Sequence, residues 1–312
     1  MTITVVGSVA FDTVKTPFGE RERMLGGAAT YFALAASFFD HVHVVGRVGA
    51  DFGEEELAVL ATRGTDVDDV ERVPDGRSFF WAGEYGWDLN SRDTLDTQLG
   101  VFADFKPRLS ASSRACDVLF LANIQPELQL GVLEQCAETR FVAMDSMNFW
   151  IDNARDALLE VIRRVDCVIL NDAELRQLTG RPSLIRAARE VLAMGPSVVV
   201  AKEGEYGAAL LTEDQFFALP AYPLETVVDP TGAGDTFAGA FVGFIGRHVD
   251  QPLTGRVLRQ AMAYGTAVAS FCVEEFGTER VERLTAGEVD SRVEELRRIT
   301  QFDDAPVPLE AP

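Results

Sequence analysis

The residues best suited to chemistry lie together in Asp229-Pro230-Thr231-Gly232-Ala233-Gly234-Asp235-Thr236-Phe237. The apolar run Thr226-Val227-Val228 leads into an acid and a proline, and Pro230, lacking an N–H, ends any strand there. Gly232 and Gly234 then allow tight backbone with no side chain in the way. From Ala233 onward small and apolar residues recur at helical spacing, through Phe237, Ala240, Phe241 and Phe244. A glycine turn that opens into a buried helix presents unpaired N–H groups and the positive end of the helix dipole, a ready site for an anion. Asp235 sits inside that positive end. An anion cradle with a carboxylate beside it suits phosphoryl transfer to a hydroxyl, although a lone Gly-x-Gly could equally just cap a packed helix.

Four other groups could join it. Asp12 follows Gly7-Ser8 at the end of the first apolar run, the edge at which open α/β sheets bind ligands. Its carboxylate could accept hydrogen bonds from neighbouring hydroxyls, or cap a turn. Gly26 and Gly27 open a helix through Ala28, Ala29, Thr30 and Tyr31, and two glycines let a ring approach the backbone closely. Asn171 and Glu174 stand at i and i+3 where a strand becomes a helix. That spacing puts both side chains on one face, and it is also the pattern of a capping box. Finally, Lys202 ends the run Val198-Val199-Val200-Ala201 and is followed by Gly204 and Gly207. Gly204 allows a backbone contact with phosphate, and Lys202 adds a mobile positive charge, unless the segment is only a hairpin turn.

These residues need elements to hold them. Ile3–Val9, Val42–Gly46, Asp117–Ala122, Arg140–Asp145, Cys167–Leu170 and Val198–Lys202 are short apolar runs that read as buried parallel strands. Helical patterns alternate with them at 54–63, 126–138, 154–164 and 183–194, and long helices follow at 233–247, 253–271 and 285–298. Alternation of this kind predicts an α/β fold with a central, mostly parallel sheet flanked by helices. The pattern breaks at 77–103, where the aromatic run Ser78–Tyr85 and a second strand-like piece, 94–102, have no helix between them. An antiparallel excursion is expected there. Residues 13–24 are polar and turn-rich, 208–212 and 215–219 read as a hairpin, and the acidic, proline-rich tail 303–312 reads as frayed.

Composition narrows the classes. The chain has 312 residues, 47% of them hydrophobic, enough for a sizeable core. Its net charge of −21 argues against nucleic-acid and anionic-membrane partners. Lys15, Lys106 and Lys202 are the only lysines. Cys116, Cys136, Cys167 and Cys272 are scattered, as free thiols in a reducing compartment would be. The chain opens directly on a strand, so a cytoplasmic location is expected. No P-loop and no Gly-x-Gly-x-x-Gly dinucleotide fingerprint occurs, and the three histidines form neither a triad nor a metal pattern in sequence.

The run Asp-Pro-Thr-Gly-Ala-Gly-Asp-Thr-Phe at 229–237 resembles the signature of the ribokinase-like (PfkB) carbohydrate and nucleoside kinases. Gly26-Gly27, Asn171-x-x-Glu174 and Lys202-x-Gly204 resemble further segments of that family in matching order along nearly the whole chain. The resemblance implies a ribokinase-like three-layer domain over 1–302 with a small β-sheet lid formed by about 12–25 and 77–103. It implies an ATP- and Mg2+-dependent kinase, with Asp235 as general base and Gly232, Ala233 and Gly234 as anion hole. It places Asp12, Gly26, Gly27 and Thr30 at the substrate, and Asn171, Glu174, Lys202, Gly204 and Gly207 at the nucleotide. Glu174 would reach magnesium through water, and Asp229 would serve a monovalent cation. Thr30 departs from the asparagine common in sugar kinases, which puts ribose or fructose specificity in doubt, and Tyr31 could stack on a base. Asp145 with Asn148 is similar to the Asp-x-Asn segment of some sugar kinases. The acceptor expected is a sugar, with a nucleoside as the alternative; a catalytically silent binding protein of the same fold is the alternative of another class. The aromatic residues Phe79, Phe80, Trp81 and Tyr85 lead to an expected homodimer through the lid.

Overall fold

In the computed structural model, which describes residues 1–301, a nine-stranded sheet runs through the molecule. Its strands are β1 (Thr2–Val6), β4 (His41–Val48), β5 (Val70–Arg72), β8 (Val118–Leu121), β9 (Phe141–Asp145), β10 (Cys167–Asn171), β11 (Val198–Lys202), β12 (Ala208–Leu211) and β13 (Phe216–Leu219). They lie in the order β13-β12-β11-β10-β9-β8-β1-β4-β5. All neighbours are parallel except β11–β12 and β12–β13, the expected hairpin. A second sheet, ordered β3-β2-β6-β7, holds β2 (Ala10–Thr16), β3 (Gly19–Gly26), β6 (Phe79–Tyr85) and β7 (Arg92–Gln98).

Strand pleating sorts the core into two layers. Ile3, Val5, Val118, Phe120, Cys167, Ile169, Val198 and Val200 face one side of the large sheet, against the helices 28–36, 233–246 and 255–272. Val6, Leu119, Leu121, Val168, Leu170, Val199 and Ala201 face the other, against the helices 126–135, 155–162, 172–179 and 184–192. The period of two along each strand is what lets one apolar run serve both layers. The helix 233–246 packs so closely on its neighbours that a methyl group at Gly239 would meet the Phe32 carbonyl oxygen at 2.3 Å. Glycine and alanine recur on its buried face for that reason.

Several boundaries differ from the sequence reading. Residues 13–24, polar and turn-rich in sequence, fall within the β2–β3 hairpin of the small sheet to which the resemblance assigns about 12–25; β3 is exposed along most of its length, so its polar residues show no apolar period. Strand β7 ends at Gln98 and gives way to a 3-10 turn at Gly100–Asp104. A short helix at Asn148–Asn153, not read from the sequence, follows β9. The acidic tail at 303–312 lies outside the described residues.

Candidate active site

The C-terminal ends of the parallel strands deliver most of the reactive groups. Asp145 closes β9, Asn171 closes β10 and Lys202 closes β11, with Asn171 and Lys202 paired in register. Lys202 Nζ lies 2.9 Å from Asp145 Oδ2. Burial opposes charge on this lysine, but the carboxylates of Asp145, Glu174 and Asp235 outweigh it and raise its pKa. The ammonium also sits against the anion cradle, since a Cβ at Gly234 would lie 3.0 Å from Lys202 Nζ.

The signature forms the turn and helix start that its glycines predict. Gly232 is the N-cap of the helix 233–246, with φ 74. A side chain there would also run into the Tyr31 ring at 2.5 Å. Tyr31 is therefore the buried floor of the cradle, 1% exposed, and is not free to stack on a ligand. The Ala233 N–H donates to the Pro230 carbonyl at 3.3 Å, whereas among the described residues the Gly232 and Gly234 N–H groups meet no main-chain acceptor. Two free donors at a helix start, with an ammonium beside them, match an anion. Asp235 stands in the first turn of this helix. Burial raises its carboxyl from 3.8 to about 7, Asp145 adds to the rise, and Lys202 and Arg92 counter it.

Asp12 lies on the second sheet and reaches the same place. It is 5% exposed, and burial lifts its pKa to about 7. The Gly27 N–H lowers it, while Asp229 and Asp235 raise it further. The two glycines are required by sterics: a Cβ at Gly26 would fall 2.0 Å from Asp12 Oδ2, and one at Gly27 (φ 94) 2.5 Å from the Ser8 carbonyl oxygen. Gly27 caps the helix 28–36, and Ser8 Oγ accepts from the Ala28 N–H at 3.0 Å. Thr30, one turn on, is completely buried, and its hydroxyl has no hydrogen-bond partner among the described residues.

Asn171 and Glu174 form the capping box in both directions, each bond 2.8 Å long. The same Glu174 carboxyl is raised by burial and by Asp145, and lowered by Lys202. It is thus both a cap and a member of the acidic cluster. Asp229 is 1% exposed, and its oxygens accept from the Thr231 N–H (2.9 Å) and the Gly277 N–H (3.0 Å). Those two bonds occupy half of a carboxylate's acceptor capacity. Gly204 is exposed in the loop after β11, whereas Gly207 (φ 107) serves the hairpin, its Cβ position lying 2.1 Å from the Leu219 carbonyl oxygen. Asn148 is exposed at the start of its short helix, with its side-chain oxygen taken by the Phe149 N–H.

Other groups at the site come from the second sheet and escaped the sequence reading. Thr231 Oγ1 donates to the Tyr85 hydroxyl at 3.2 Å, tying β6 to the signature. Asn90 Nδ2 donates to Glu205 Oε1 at 2.9 Å, tying the β6–β7 turn to the loop after β11. Arg92 faces Asp12, Asp235 and Glu174 closely enough to lower the pKa of each. The available signal was the hairpin register, which sets Arg92 opposite Tyr85. The aromatic residues counted toward a dimer are largely spent inside: Phe79 stacks on Phe102, and Tyr85 is buried. Elsewhere, at the opposite end of the large sheet, His41, His43 and Asp66 come together with ligand atoms within 4.8 Å. A cavity of about 520 Å³ bordered by Arg47, Glu71, Lys106 and Arg108 shares no residue with the acidic cluster.

An anion cradle on a helix start, a carboxylate within it and a second carboxylate facing it define a phosphotransferase that acts on a hydroxyl. The profile of the pfkB family carbohydrate kinases matches residues 2–283, and the chain belongs to that family. Its members transfer phosphoryl groups to sugar or nucleoside hydroxyls. The sequence is 31% identical to the cytidine kinase of Thermococcus kodakarensis over 88% of this chain and 97% of that protein. It is 27% identical to a nucleoside kinase of Methanothermobacter thermautotrophicus, over 91% and 96%. Among solved structures, the nucleoside kinase of Methanocaldococcus jannaschii, an archaeal member of the ribokinase family, superposes with a TM-score of 0.76 at 21% identity. That match covers 94% of this chain and 98% of the other, and it shows the fold. Among the described residues no helix is long and apolar enough to cross a membrane.

Proposed function

We propose that this kinase phosphorylates a hydroxyl of a nucleoside, with ATP as donor. The observation that carries the reading is the pairing of Asp235 with the free N–H groups of Gly232 and Gly234, beside Asp12 on its two glycines. Asp12 accepts hydrogen bonds from acceptor hydroxyls, and Gly26-Gly27 leaves room for the ring. Asp235 takes the proton of the attacking hydroxyl, a task matched by a carboxyl raised to about 7. The Gly232 and Gly234 N–H groups, the helix dipole and Lys202 offset charge on the transferring oxygens. The exposed Gly204 backbone offers a further phosphate contact. The second sheet acts as a lid that excludes water, held by the Tyr85 and Asn90 contacts. A nucleoside is favoured over a free sugar by the likeness to cytidine and nucleoside kinases along nearly the full length of both chains. The apolar cluster of Tyr85, Phe276, Met24 and Trp81 beside the signature also suits a base.

Magnesium fits the acidic cluster: Glu174 and Asp145 offer oxygen ligands, directly or through water, next to Lys202. Bound there, the ion would neutralise phosphate charge. A monovalent cation would draw on the unused lone pairs of Asp229. A homodimer would use the exposed Phe18, Trp87 and Leu95 of the lid. A cytoplasmic location accords with four unpaired cysteines.

A panel of cytidine, uridine, inosine, ribose and deoxyribose, read by ADP formation, tests the acceptor. Turnover of a sugar but of no nucleoside would reject the nucleoside reading, and tight binding with no transfer would indicate the silent binding protein. Asp235→Ala should lower turnover on the best acceptor about 10²–10⁴-fold. Near-normal turnover by that variant would rule out the base.

A further inference from the structure

Two of the three histidines in the chain stand together where β4 begins. His41 and His43 are two apart on a strand, so both side chains point to one face of the large sheet. Asp66 joins them from the segment beyond the helix 54–60. Its N–H donates to the Val42 carbonyl at 2.7 Å and its carbonyl accepts from the Val44 N–H at 2.9 Å, so it pairs with His43 as a parallel neighbour would. Paired residues project to the same face, which brings the carboxylate to the rings. The Asp68 N–H holds Asp66 Oδ1 at 2.8 Å and leaves Oδ2 toward His43 Nδ1, 3.3 Å away. An ion pair would need only one imidazole. The His41 ring, set edge-on to His43 with centroids 4.8 Å apart, has no hydrogen bond or ion pair of its own among the described residues. All three ligand atoms lie within 4.8 Å of one another.

We propose that His41, His43 and Asp66 form a binding site for a zinc-class divalent ion, with water in the fourth position. Bonds of about 2.0–2.1 Å put neighbouring ligand atoms of a tetrahedral ion about 3.3 Å apart. The His43–Asp66 pair already has that separation, and a small rotation of the exposed His41 brings in the third donor. The two imidazoles decide the metal. Magnesium and calcium take oxygen ligands, whereas imidazole nitrogen suits zinc and its neighbours in the first transition row. The buried His43 and the main-chain-pinned Asp66 form a fixed half of the site. His41 on the rim leaves an entry path for the ion and room for its water. Bound there, the ion would clamp the start of β4 to the segment at 62–69. The site is independent of the phosphotransferase reading, because it lies at the N-terminal end of β4 and the acidic cluster lies at the C-terminal ends of β9, β10 and β11.

Calorimetric titration of the full chain with Zn2+, in excess Mg2+ to fill sites built of oxygen alone, should show one equivalent bound at micromolar concentration. His41→Ala and Asp66→Asn should each weaken that binding by about 10²-fold or more, since each removes a direct ligand. His248→Gln, which removes the remaining histidine, should leave it unchanged. Zn2+ should raise the melting temperature of the parent and not of the two ligand variants, because an ion that binds only the folded chain stabilises it. X-ray absorption at the zinc edge should show two imidazoles, and Co2+ in place of Zn2+ should give the intense visible absorption of a four-coordinate ion. Circular dichroism checks the fold of each variant; should Asp66→Asn not fold, His41→Ala, which changes an exposed side chain, carries the test. Absence of a bound equivalent would overturn the proposal. Binding that survives the ligand substitutions, or a zinc environment of oxygens alone, would overturn it equally by placing the ion in the acidic cluster.

Discussion

Asp12 and Asp235 both titrate near pH 7, driven there first by burial and then by their acidic neighbours. If both must be ionised, kcat/KM should fall with a slope approaching two below pH 7, the two values belonging to the interacting pair. Asp12→Asn should reduce that slope to one while raising KM for the acceptor. A pH profile of the free enzyme checks this, and a flat profile between pH 5 and 8 would contradict the shared titration. The same shifts bear on stability. A carboxyl whose folded pKa is raised binds its proton more tightly folded than unfolded, so its contribution is fully present below about 3.8 and is lost as pH rises through about 7. At about 1.4 kcal/mol per unit, each group costs at most a few kcal/mol above pH 7. Asp12→Asn should therefore raise the melting temperature at pH 8 and leave it little changed at pH 4. The carboxylates proposed to do the chemistry would thus strain the ligand-free fold.

Among the elements, the turn and helix of 229–246 were fully legible, because a proline, two glycines and an apolar helical period are all local signals. The parallel strands were legible for the same reason. Long-range pairings were not: Asp145 meets Lys202 across 57 positions and Tyr85 meets Thr231 across 146, and nothing in either segment alone names its partner. The lid was half legible, its aromatic strand visible and its exposed strands hidden in polar sequence. The segment 171–174 shows where sequence leaves two roles superposed. Glu174 closes the capping box through Oε2, a bond that glutamine also makes. Glu174→Gln should thus keep the free energy of unfolding within about 1 kcal/mol of the parent, on the scale of an altered cap. If Glu174 also orders magnesium, the Mg2+ concentration for half-maximal rate should rise about tenfold or more, the scale for losing a supporting ligand partner. An unchanged magnesium requirement would leave Glu174 as a cap alone.

For the molecule as a whole, a net charge of −21 sets the protein against its own nucleotide, which is also an anion. Lys202 and Arg92 are positive at the site, but Asp12, Asp145, Glu174, Asp229 and Asp235 surround them. Long-range approach of ATP is therefore opposed, and the attraction that captures it acts only at close range. Added salt should raise kcat/KM for ATP by screening that repulsion, the reverse of the usual loss in a steered enzyme. It should raise the melting temperature too, since the same screening relieves self-repulsion of the folded surface. The Debye length falls from about 10 Å at 0.1 M to about 3 Å at 1 M, so most of the gain should be complete within that range. The identity of the cation divides this effect from a bound ion. Pure screening makes potassium and tetramethylammonium chloride equivalent at equal ionic strength. A potassium-specific increase that Asp229→Asn abolishes would instead assign the monovalent site, because Asp229 lies buried where bulk screening does not reach. Rates in the two salts, with and without that substitution, decide between a surface field and a single coordinated cation.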